Sequence, residues 1–303
     1  PYSAIMGVYE TENSVSMVHS YARNHSLIEL EDDFAITEGR ESCWTLKPFS
    51  NITNHAVFHN GHVFLKPQQG IFLITRKDGV EKKVIFDIPS LKAFETFKFD
   101  AEKIFPKLHE FLDNQIGWGT LHFESHSSFT RLLIMWKNAK TNEVQVTHSN
   151  FDYIAHTTNI NKTIKPAYMK LPVIYGALPN VIVYPKHAIG KYIVSGNQDI
   201  SNGAIFKSDS EEITFSRADN YLPSRIVTAI TGNLTKDTSL PFECSLGVFH
   251  EKRPPKRFHW FLISSVMQTV IHITFFEEIY KNIEPIDLIF KLYSDTSKNV
   301  SNK

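Results

Sequence analysis

The pair Asp78-Gly79, set between Gly70-Ile-Phe-Leu-Ile-Thr75 and the run from Val80 to Ile88, constrains this fold more than any other stretch. Asp-Gly readily takes the positive backbone angles of a tight turn, and both arms are rich in β-branched and aromatic residues. An antiparallel hairpin is expected here. Asn60-Gly61 repeats the signal between Ala56-Val-Phe and His62-Val-Phe-Leu. Further short β-type runs fall at 120–123, 131–136, 143–147, 173–175, 181–184, 192–194, 213–216 and 225–231, with 138–142 as a connecting turn. No alternation of strands with crossover helices is visible. The expected class is α+β and β-rich, an antiparallel sheet or sandwich (jelly-roll-like connectivity included) with a few helices.

Three helices are expected. Within 10–30, Ser14 is placed to cap a helix whose Val15, Val18 and Tyr21 recur at helical spacing. Ser90 can cap 91–97, and Asp100 can cap 101–112, where Pro106 should divide the helix. Residues 1–303 read as one globular unit, with 159–172, polar and Pro-containing, as the boundary if there are two lobes.

Composition narrows the function classes. Lys+Arg and Asp+Glu are equal at 32 each, so the net charge is zero. Wrapping nucleic acid by phosphate neutralisation alone is disfavoured, and long-range repulsion does not oppose self-association. Two cysteines, Cys43 and Cys244, exclude a disulfide scaffold; they form one bridge or remain two thiols. The opening Pro-Tyr-Ser-Ala has no charged-then-apolar leader, so no signal peptide is expected.

Near the C-terminus, Glu251-Lys-Arg-Pro-Pro-Lys-Arg257 runs into Phe258–Phe276, nineteen residues without a formal charge. Two His, a Gln and several Ser/Thr make this stretch costly in a bilayer, so no membrane span is expected. On a helix, Ser264, Ser265, Gln268, Thr269 and His272 share one stripe opposite an apolar face. Such an uncharged polar stripe suits a hydrogen-bonded contact with another copy of the chain. Lys252, Arg253, Lys256 and Arg257 are the residues placed to touch RNA or an acidic surface.

Catalytic signals are sparse. His122-Phe-Glu124-Ser-His126 puts two imidazoles and a carboxylate on one face of a strand, a ligand set for Zn²⁺ or Fe²⁺. The wet face of an ordinary sheet gives the same alternation. His55, His59 and His62 surround Asn60-Gly61, and on a hairpin His59 and His62 would meet across the turn. No Gly-x-Ser-x-Gly elbow or Gly-rich phosphate loop occurs, and no cofactor is implied. The preferred reading is a structural protein forming a homo-oligomeric shell or lattice, as a viral coat protein does, which would place it in a virion. The alternative is a hydrolytic or metal-dependent enzyme around His122, Glu124 and His126.

Overall fold

The computed structural model describes residues 2–12, 14–23, 37–38, 42–61, 63–125, 131–150, 167–173, 177–184, 192–194, 198–199, 203–217, 228–232, 243–246, 291–292 and 301–302. The chain divides into two compact units, Pro1–His250 and Glu251–Lys303. It is mostly antiparallel β-sheet with few helices. In chain order, the first unit opens with β1 (Tyr2–Glu10), β2 (Val15–Arg23) and β3 (Thr37–Glu38). Then come β4 (Cys43–Leu46), β5 (Ile52–His59), β6 (Gln68–Thr75), β7 (Glu81–Ile88) and β8 (Thr96–Asp100). Two single-turn helices, α1 (Ala101–Ile104) and α2 (Leu108–Phe111), precede β9 (Gly117–His122), β10 (Glu124–Ser125), β11 (Leu133–Asn138) and β12 (Val144–His148). β13 (Ala167–Lys170), β14 (Asn180–Val183), β15 (Tyr192–Val194) and β16 (Gln198–Asp199) follow. β17 (Ala204–Lys207), β18 (Glu212–Arg217), β19 (Thr228–Thr231) and β20 (Glu243–Ser245) complete the first unit's strands. In the second unit, β21 (Lys291–Leu292) pairs antiparallel with β22 (Ser301–Asn302).

Two four-stranded sheets, ordered β4-β9-β6-β7 and β12-β11-β5-β8, feed one hydrophobic core. Alternation decides which residues enter it. Trp44, Leu46, Phe72, Ile74, Phe86, Ile88 and Leu121 come from the first sheet, and Ala56, Phe58, Phe99, Ile134 and Trp136 from the second. Phe99 is the hinge of the packing, edge-on to Trp44, Phe72 and Phe86 at centroid distances of 6.2, 4.9 and 4.9 Å. Edge-to-face contact suits the ring quadrupoles. Gly119 is required by this packing, because a Cβ there would lie 2.9 Å from Phe72 and 3.0 Å from Trp44.

A second core is built by β13-β18-β15-β16 and β17-β14-β19-β20, around Met169, Val181, Val183, Ile213, Phe215 and Ile230. The run Val181-Ile-Val-Tyr184 has no polar alternation because both its faces are covered. Val181 and Val183 face the second core, while Ile182 and Tyr184 pack with Ala229 against Cys43 and Trp118 of the first. That contact buries the outer face of the first sheet at its β4–β9 side.

The Asp78-Gly79 hairpin forms as expected: β6 pairs with β7 from Thr75↔Glu81 to Gln68↔Ile88. Arg76 N donates to Val80 O and Gly79 takes φ 85°, so the turn uses three residues closed by a left-handed glycine. Asp100 caps α1, its Oδ1 accepting from Lys103 N at 3.3 Å, and Pro106 separates α1 from α2.

Three local expectations fail. Residues 15–23 are the strand β2, because Ser16 and Val18 face inward while Val15 and Met17 face out, a period of two. Residues 91–97 are a turn and the start of β8, since Phe97 and Phe99 are needed opposite Phe58 and Ala56. Asn60-Gly61 does not close a hairpin; β5 pairs with β8 and β11, and the chain crosses to the other sheet for β6. Strand β13 occupies Ala167–Lys170 within the polar segment 159–172, and Val173 carries no strand, while 174–175 lie outside the described residues.

Candidate functional site

Taking charge out of water is expensive, so a buried ionisable cluster marks either a reactive site or a structural latch. The chain builds one where β20 passes the edge strands β4 and β12. Lys47, directly after β4, and Glu243, the first residue of β20, have side chains 0% and 2% exposed, with Nζ 3.4 Å from Oε2. The ammonium also donates to Gln145 Oε1 at 3.2 Å and lies 3.7 Å from the centre of the Trp136 ring. Glu243 is held from the other side. Thr45 Oγ1 donates to Oε2 at 2.5 Å and Tyr184 OH to Oε1 at 2.8 Å. Gln145 Nε2 donates to the Glu243 backbone carbonyl, and Trp136 Nε1 to the Thr45 carbonyl.

The local fold explains this convergence. Asn54 fixes the Lys47 backbone by accepting from its N and donating to its O, so the side chain leaves β4 from a held position. Burial pushes the Lys47 ammonium down to about 8, against the pull of Glu243. Burial, and then the Glu243 charge, raise the Tyr184 phenol well above its ordinary value. A lysine of this kind is a better base than one in water. Here, however, its donors are spent on fixed partners and it has no exposed surface. A void of about 10 Å³ between the first two sheets lies away from it, lined by apolar residues such as Ala56, Phe58, Phe86 and Phe99. The cluster has the chemistry of a latch joining the two cores.

A second polar group ties α1 to β5. Glu102 accepts from Asn54 N at 3.0 Å and Asn54 Nδ2 at 2.6 Å, and His109 Nε2 lies 3.5 Å away. His55 is buried, bonded to Thr53 Oγ1 at 2.8 Å and 3.7 Å from Asp100, and burial holds its imidazole below the usual range. His59 is exposed and pairs instead with Thr96 at 3.1 Å, so the structure does not bring His55 and His59 together; His62 lies outside the described residues.

His122 closes β9 opposite Ile71, half-buried. Glu124 is exposed in β10, beyond the buried Phe123, and its backbone exchanges hydrogen bonds with the Gln68 side chain. His126 lies outside the described residues, as do Ser264, Ser265, Gln268, Thr269, His272 and the basic Lys252, Arg253, Lys256 and Arg257. Among the described residues no group of three or more His, Cys, Asp or Glu is placed to hold a metal ion. Likewise, no helix among them is long and apolar enough to cross a membrane. Cys43 is buried and Cys244 exposed, and no disulfide joins them.

The Lys47–Glu243 junction was not foreseeable from local pattern. Thr45 and Glu243 are 198 positions apart, and neither sits in a motif. The available signal was weak: a lysine directly after the apolar run of β4. No protein-family model, curated protein or solved structure matches the chain.

Proposed function

We propose that this is a structural, self-assembling protein whose β-sheet faces join copies of the chain into a shell or lattice, as in a viral coat. The paired sheets around each core are read as β-sandwiches. The observation that carries the proposal is the placement of exposed apolar side chains as cross-strand pairs on two separate faces. On the β1–β2 hairpin, Val8 and Met17 are direct partners and each is 51% exposed, with Val15 beside them. On the outer face of the first sheet, Ile71 and Ile85 are partners, 38% and 64% exposed.

Single exposed apolar residues are ordinary; paired ones on flat strands are ready-made contacts. Two such faces on one molecule allow continued assembly, where one face alone would stop at a dimer. Zero net charge leaves association unopposed. The buried ionisable groups favour the same reading, because they are turned inward to hold the cores together. The test is sedimentation of the wild type beside Ile85→Lys and Met17→Lys. Assembly in the wild type, reduced by either change, supports the proposal. A wild type that sediments as a single chain at every concentration overturns it.

A further inference from the structure

Two loops at one end of the first core present aromatic rings to solvent on a braced backbone. One joins β5 to β6 (60–67) and the other joins β7 to β8 (89–95). Leu65 and Leu91 exchange backbone hydrogen bonds at 2.8 and 3.0 Å, and each is buried in the core at 3% exposure. Asn60 N donates to Glu95 O, and Phe94 N to Gly61 O, both at 2.9 Å. The Asn60 side chain adds bonds to the Val63 and Lys92 carbonyls, both at 2.8 Å, and Glu95 Oε2 accepts from Lys92 N at 2.7 Å. Loops so cross-tied are not merely untidy connections.

On this base Phe64 is 56% and Phe94 64% exposed. Phe94 also has φ 61°, a conformation that a bulky side chain adopts at a cost. Its ring stacks beside His59, centroids 6.5 Å apart, yet most of its apolar surface stays open to solvent, where a glycine would relieve the strain. Lys66 and Lys92 are exposed on the same two loops and Lys98 two residues into β8, with the exposed acids Glu95 on the second loop and Asp87 two residues before it.

We infer that these loops form a membrane-docking tip, in which Phe64 and Phe94 enter the interfacial layer of a bilayer while Lys66 and Lys92 meet anionic headgroups. The rings offer no hydrogen-bonding group, which disfavours a polar small-molecule ligand. Lys66 and Lys92 outnumber Glu95 on the two loops, and phosphate-bearing lipid is complementary to that positive balance. Partial insertion of aromatic residues with flanking cations is the physics of interfacial binding, and needs no spanning segment. The inference goes beyond the assembly reading and stands without it.

The experiment is co-sedimentation of the full chain with vesicles of phosphatidylcholine, with and without phosphatidylserine, at low and high salt. Binding is expected only to the phosphatidylserine vesicles and should weaken as salt rises. Phe94→Gly should stay folded by circular dichroism yet bind vesicles at least tenfold more weakly. Lys66→Glu with Lys92→Glu should abolish binding. No wild-type binding to either vesicle overturns the inference, as does unchanged binding by Phe94→Gly. A fall in native mass on Phe94→Gly, without loss of vesicle binding, would make the tip a contact between copies and overturn it equally.

Discussion

At the scale of single residues, the Lys47–Glu243 pair makes stability depend on pH in a defined direction. Lys47 gives up its proton at about 8 in the fold but at 10.5 in the open chain. Between those values the unfolded state holds more protons, so stability rises with pH there; below about 8 the full cost of the buried charge is present. A shift of this size corresponds to about 3 kcal/mol. Tyr184 acts oppositely, because its phenol stays protonated in the fold while the unfolded one ionises from about 10.0. Stability should then fall as pH climbs beyond that value. Denaturant midpoints of the wild type are expected to rise between pH 8 and 10 relative to Lys47→Met, and to fall above 10 relative to Tyr184→Phe. Glu243→Gln strands the ammonium and should cost about 3–5 kcal/mol, with Lys47→Met in the same chain recovering part of it. Equal, additive losses in the two single variants would show that the residues do not act as a pair.

At the scale of elements, the β1–β2 hairpin protects a sheet edge without extending it. Ser14 Oγ donates to Val144 O and accepts from Val144 N, at 3.2 and 2.9 Å. Ser16 Oγ does the same at Val146, at 3.0 and 2.8 Å. Two hydroxyls therefore satisfy the outward backbone groups of β12 that a further strand would otherwise claim. Ser16→Val should leave one N–H and one C=O unpaired, cost about 1–3 kcal/mol and speed amide exchange at Val146. Unchanged exchange would show that the hydroxyl is dispensable. The same element shows why sequence reading failed here. Ser14 is a good helix cap by type, and Val15 and Val18 fit a helical spacing as well as a strand. What decides between them is the partner β12, some 130 positions away, which local pattern does not contain. The hairpin at Asp78-Gly79 was legible because its partner strand is its neighbour. The cap at Asp100 was legible because its bond stays within one turn.

At the scale of the whole molecule, the β-rich class could be read from short apolar runs punctuated by turn residues. The way the two cores pack on each other could not. Trp118 sits between two glycines, yet it is 0% exposed because Ile182, Tyr184 and Ala229 cover it from the second core. The outward apolar pairs Val8/Met17 and Ile71/Ile85 were equally hidden, since alternation marks two faces but not which one stays uncovered. Those pairs carry the account of the protein as a subunit of something larger. The most direct test is the native mass of the purified chain by light scattering across a range of concentrations. The account predicts a mass that grows with concentration to multiples of 34.8 kDa. A mass fixed at 34.8 kDa throughout would contradict it.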